Sequence, residues 1–166
     1  MADTFEAATV ELAQSFTPDP IRPFTSKQMG DACEMIIAAE LTLAGIPALK
    51  VPDNWPHYDV IAQPIGRPPE RISVKSRTFK RGAAFVTYKT TDEFDWLAAM
   101  LLSHEQGTLR RIAYVIPRET ADSLARRDKP TSKTALLRYF RIDEMERLFG
   151  RYRDNFTLSM EGVVAQ

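Results

Sequence analysis

The stretch Pro64-Ile65-Gly66-Arg67-Pro68-Pro69 constrains this chain more than any other, because proline and glycine at that density break a strand and force a reversal. Two strand-like runs flank it, residues 58–62 and 71–76, both rich in β-branched or aromatic side chains. A reversal centred near Gly66 and Arg67 pairs them antiparallel and sets Asp59 opposite residues 73–75. Directly paired residues share a face of a sheet. Asp59 is therefore expected to meet Ser73 and Lys75, while Ile72 and Val74 point the other way.

Upstream, Thr25 followed three residues later by Gln28 has the form of a capping box, and Gly45 suits the left-handed residue that ends a helix after Ala44. The spacing predicts a helix over 26–44 whose apolar arc holds Met29, Cys33, Ile36, Ile37, Leu41, Leu43 and Ala44. Glu34 falls on the edge of that arc and Glu40 inside it, so both are candidates for a carboxylate leaning inward. Further strands are predicted over 47–51, 84–88, 95–102 and 110–116, the last two turning at Glu105-Gln106-Gly107. Residues 92–102 also fit a helix. Helices over 119–127 and 142–152 with an extended run over 136–142 follow, and a short peripheral helix at 2–15 precedes a Pro-rich linker ending near residue 24. The pattern is that of an α/β chain with a mixed, largely antiparallel sheet flanked by helices, and 166 residues suit a single domain over 1–166.

A helix carboxylate followed by two paired strands that bring an Asp to a Lys is a set suited to one kind of chemistry. Carboxylates hold Mg²⁺, which neutralises charge on a phosphate and activates a water, and an ammonium positions that water or steadies the transition state. Lys75 is the candidate ammonium. A lysine between Val74 and Ser76 in a buried strand is costly unless a carboxylate partners it.

Gly30-x-x-x-Glu34, then Ala38, Ala39, Leu41 and Gly45, then Tyr58-Asp59-Val60, then Ile72-Ser73-Val74-Lys75 resembles the PD-(D/E)XK nuclease superfamily, which includes Holliday junction resolvases, restriction enzymes and homing endonucleases. The resemblance covers roughly residues 26–78. It implies an αβββαβ core, a divalent cation (Mg²⁺ or Mn²⁺), nucleic acid and in particular DNA as partner, and metal-dependent phosphodiester hydrolysis. The active-site roles carried over fall on Glu34, Asp59 and Lys75, with Glu34, Asp59 and the Val74 carbonyl around the metal. One departure stands out. The family's usual acid two residues before the lysine is here Ser73, an uncharged hydroxyl, and Glu70 lies an odd number of residues from Lys75 and so faces the opposite side. The alternative to an enzyme is therefore a nuclease-fold module that binds DNA or a protein without cutting. A homodimer or partner subunit is compatible with either.

Net charge is zero, but residues 1–70 hold 10 acids and 4 bases while residues 71–166 hold 12 acids and 18 bases. Arg77, Lys80 and Arg81 crowd together just after Lys75 and are the candidate phosphate-binding residues. The longest apolar run, 96–102, is far below the roughly 20 residues of a membrane span. A start without basic and apolar segments, together with the lone Cys33, points to a soluble chain in a reducing cytoplasm. His57 reads as a surface or packing histidine, Cys33 as core, and Trp55 and Trp96 as core or rim aromatics in preference to base-stacking platforms.

Overall fold

The structure, a computed structural model, describes residues 24–78 and 84–164. The helix expected at 2–15, its Pro-rich linker, and Lys80 and Arg81 lie outside the described residues. Helix α1 (Ser26–Leu43) starts at Thr25, whose Oγ1 accepts the Gln28 N–H at 3.1 Å while the Gln28 side chain accepts the Thr25 N–H at 3.0 Å. Both partners of the expected capping box are present. The helix stops at Gly45, whose φ of +92° a residue with a Cβ adopts only under strain.

Strands β1 (Ala48–Lys50), β2 (Val60–Ala62) and β3 (Glu70–Thr78) form an antiparallel meander, with Val60 opposite Ile72 and Ala62 opposite Glu70. That register is centred on Gly66, which takes φ +71° in the proline-rich turn. The chain then forms β4 (Phe85–Lys89), which leaves this sheet, and returns as β5 (Trp96–Glu105), parallel to β3 with Lys75 opposite Ala99. A two-residue turn with positive φ at Gln106 and Gly107 leads into β6 (Thr108–Pro117), its geometry matched to the twist of a hairpin. The main sheet thus runs β1-β2-β3-β5-β6, antiparallel except for β3 and β5. Helix α2 (Arg118–Leu124) follows, then β7 (Leu137–Arg141), which pairs antiparallel with β4 as a second, two-stranded sheet. The run expected to be one helix over 142–152 is α3 (Met145–Phe149) between two 3-10 turns.

Each face of the main sheet has its own core. On one, Cys33, Ile37 and Leu41 of α1 pack on Val60, Ile72, Val74, Ala98 and Met100. On the other, Leu97, Ala99, Leu101 and Ile116 meet Val86, Tyr88, Phe140, Met145 and Phe149. Burial of β5 on both sides explains why 96–102 is uniformly apolar and reads equally as a helix or a central strand. Ile72 and Val74 face α1, which leaves the alternate positions of β3 to the opposite side. Among the described residues no helix is long and apolar enough to cross a membrane.

Candidate functional site

Strand β2 stops short, and the residue just before it takes over the pairing. The ladder with β3 ends at Val60 and Ile72; Asp59 then donates its N–H to the Ile72 carbonyl at 2.9 Å, and its Oδ2 accepts the Val74 N–H at 2.6 Å. Those two bonds straddle Ser73, so Asp59 lies across the strand pair from it. The other carboxylate oxygen, Oδ1, has no hydrogen-bond partner among the described residues. Asp59 lines a cleft of about 220 Å³ together with Lys27, Asp31, Glu34, Lys50, Asp53 and Trp55.

Lys27, Asp31 and Glu34 sit on α1 at spacings of four and three, so they form one stripe beside the buried stripe of Cys33, Ile37 and Leu41. Lys50, the last residue of β1, lies 2.8 Å from a Glu34 oxygen and 2.6 Å from Asp53. Lys27 bonds Asp31 at 3.1 Å and Asp53 at 2.5 Å. One oxygen each of Asp31, Glu34 and Asp53 lie within 4.8 Å of one another. Burial pushes the Glu34 carboxyl above the usual carboxylate range, Lys50 pulls it back, and the nearby charge of Asp59 pushes it up again. Asp53 is pushed down to about 2 by Lys27 and Lys50, while Asp53 and then Glu34 raise Lys50. The cleft holds two more carboxylates than ammonium groups, all its charged ligating atoms are oxygens, and it is roomy enough for a hydrated ion. That donor set fits a hard divalent cation.

Of the two inward candidates on α1, Glu34 is the one that shares this cleft. Glu40 points elsewhere, 3.6 Å from Arg111, in a separate hollow with Met100 and Asp154. Ser73 is 1% exposed, and its Oγ is the only buried side-chain polar atom without a partner among the described residues. Leaving such a hydroxyl unpaired costs about 1–3 kcal/mol. Val74 buries its side chain against α1 and offers its backbone to Asp59.

Lys75 corrects one expectation. It is half-buried, lies opposite Ala99, and forms no hydrogen bond or ion pair among the described residues, so the pairing with Asp59 is not made. The reason is local: the Asp59 oxygen that accepts a bond takes it from the Val74 amide, and the ammonium that reaches the helix carboxylate is Lys50. Arg77 spends its Nε on the Phe85 carbonyl at 2.7 Å and Nη1 on the Ser76 carbonyl at 2.7 Å, and so ties β4 to β3. His57 adopts φ +74° and brings Nδ1 to 3.9 Å from Asp92, outside hydrogen-bond reach. Sequence reasoning missed Lys27, Asp31, Lys50 and Asp53. The stripe at 27, 31 and 34 was the available signal, since three charged residues on one helix side beside an apolar arc mark a polar edge. The two tryptophans separate: Trp96 is 2% exposed, whereas Trp55 stands 51% exposed on the rim of the cleft.

The sheet order and the helix packed on one face give a mixed α/β fold, mostly antiparallel and flanked by helices, of restriction-endonuclease-like type. A solved structure that shares it is the bacterial homing endonuclease I-Ssp6803I, with TM-score 0.52, 23% identity, and 83% of this chain aligned to 93% of that one. Hjc, a Holliday junction resolvase from Archaeoglobus fulgidus, aligns at TM-score 0.43 and 17% identity over 69% of this chain and 89% of that one. No family model and no curated protein matches the sequence.

Proposed function

We propose that the protein is a divalent-metal-dependent nuclease that hydrolyses DNA phosphodiester bonds at the cleft between α1 and β2. The observation that carries this reading is that Glu34 and Asp59, from different elements, line one cleft, in a fold held in common with a homing endonuclease. Asp59 through its Oδ1, Glu34 and the Val74 carbonyl are the groups that would hold Mg²⁺ or Mn²⁺. Bound there, the cation supplies charge neutralisation at phosphate and a more acidic water.

The chain's own side chains do the rest. Lys75, which forms no ion pair among the described residues, is the ammonium available to a substrate phosphate or to the attacking water. The Val74 N–H holds the Asp59 carboxylate in one orientation, and Lys50 does the same for Glu34. Arg77, Lys80 and Arg81 extend the positive charge along the chain from Lys75 and would meet the phosphate backbone, Arg77 through whatever its bonds to carbonyls leave free.

The test is cleavage of plasmid, single-stranded and branched DNA with Mg²⁺ or Mn²⁺. Activity that vanishes without metal, and in Asp59→Ala and Lys75→Ala with the fold kept by circular dichroism, supports the reading. DNA affinity should fall with salt, with a slope of about −0.9 per phosphate neutralised on duplex. One set of observations favours a second reading, a module that binds DNA without cutting: Ser73 is sealed where the superfamily pattern has an acid, and Lys50 already neutralises Glu34. Salt-dependent DNA binding with no cleavage in either metal would select it.

A further inference from the structure

The cleft is small, about 220 Å³, open to solvent and lined mostly by charged side chains, so a phosphate held among them would carry its nucleoside at the rim. Trp55 stands on that rim. The other tryptophan, Trp96, is buried in the core of the α1 face. Tryptophan is among the side chains most buried on average, so a half-exposed indole beside a polar cleft calls for a reason.

The loop carrying it is held in shape before any ligand arrives. Pro52 and Pro56 fix the backbone on either side of Trp55. The Trp55 N–H donates to the Pro52 carbonyl at 2.8 Å, and the Tyr58 N–H donates to the Pro56 carbonyl at 3.0 Å. Asp53, in the same loop, is clamped by Lys27 and Lys50. The indole and the Tyr58 ring form a T-shaped pair at 72°, with centroids 6.4 Å apart, so Tyr58 buttresses the indole. A rigid aromatic surface lining the same cleft as two lysines is what an unstacked base recognises, because little entropy is lost on contact.

We propose that Trp55 is the stacking platform for an unpaired nucleobase next to the phosphate bound in the cleft, so that the site takes single-stranded or locally opened DNA in preference to continuous duplex. The proposal rests on the nuclease reading and narrows its substrate class. Bases inside a duplex are stacked on both faces and have none to offer the indole; an unpaired base has one free.

The test compares a short single strand with the blunt duplex of the same sequence, by tryptophan emission and by anisotropy of a labelled oligonucleotide, in Mg²⁺ with stopped-flow mixing before turnover. Trp96 is buried, so quenching by oligonucleotide reports Trp55. The single strand should quench emission and bind roughly tenfold tighter than duplex. Trp55→Ala should weaken single-strand binding about tenfold to a hundredfold and erase the preference, while Trp55→Phe retains most of it. A preference that survives Trp55→Ala overturns the platform and leaves the nuclease reading standing. Failure of the native protein to bind either form takes down both. A dimer that Trp55→Ala dissolves without touching DNA affinity assigns the indole to a second copy of the chain, and also overturns the proposal.

Discussion

Two concavities of the molecule differ in how their charges are spent. The larger, about 630 Å³, is bordered by Glu70, Phe94, Asp95, Trp96, Arg118 and Asp122. There Glu70 accepts the Trp96 indole N–H and lies 3.4 Å from Arg67, Asp95 takes both arms of Arg71, and Arg118 pairs with Asp122 while its guanidinium lies 4.2 Å over the Phe94 ring. The smaller, about 220 Å³, keeps an Asp59 oxygen unbonded among the described residues, an excess of carboxylates and a raised Glu34. Volume alone would choose the first. Unspent ligating capacity favours the second for the proposed function, since a site for a cation and a phosphate cannot have closed every pair internally.

The largest expected effect is on cleavage. Asp59→Asn keeps an acceptor for the Val74 amide but removes the anionic charge, and should cut the rate in Mg²⁺ at least about a hundredfold with little change in melting temperature. Glu70→Gln in the larger hollow should leave the rate within about twofold. The reverse result, read by the same plasmid assay, would break the comparison.

Next comes Ser73→Asp. Burying a carboxylate where the hydroxyl is already sealed should cost about 3 kcal/mol in urea unfolding without metal, and Mg²⁺ should return part of it if residue 73 borders the ion. No recovery would place residue 73 away from the metal. Ser73→Ala, which deletes an unpaired buried hydroxyl, should be neutral or stabilising by up to about 1 kcal/mol.

Trp96→Phe probes the closed hollow. It strands Glu70 without its indole donor and shrinks a buried ring, so a loss of about 1–3 kcal/mol in unfolding with unchanged specific activity is expected.

The smallest effect is on acid stability. Burial would raise the Asp95 carboxyl, but its hydrogen bonds from Arg71 prevail and hold it below the usual range. A depressed carboxylate stabilises the fold above its unfolded value near pH 3.8 and loses that contribution as pH falls through the folded one. Asp95→Asn should therefore flatten the stability profile below about pH 4. The effect should stay under about 1 kcal/mol, because the pair is more than a third exposed and screened by water.

The helix start at Thr25, its stop at Gly45 and the Gly66-centred register were legible because each rests on local chemistry: a capping side chain, a positive φ, a proline-rich turn. The parallel contact of β3 with β5 and the departure of β4 to pair with β7 were not, since both depend on which distant apolar face is free, and periodicity within a segment is silent on that. The same limit governed the site. Asp59 could be placed beside Ser73 from the turn, and Glu34 followed from the helix edge. That Lys50 would reach Glu34 in place of Lys75 required knowing how α1 lies over β1.

The 2.6 Å bond from the Val74 amide to Asp59 has a spectroscopic consequence. A proton held that closely by an anionic acceptor resonates far downfield in an amide spectrum and exchanges slowly with solvent. Anything that draws on the Asp59 carboxylate, whether a cation, an added proton or a substitution elsewhere in the cleft, lengthens or polarises that bond first. The Val74 amide proton on β3 is thus a built-in probe: if a cation enters the proposed site its frequency should shift, with no label attached and no turnover needed to read it.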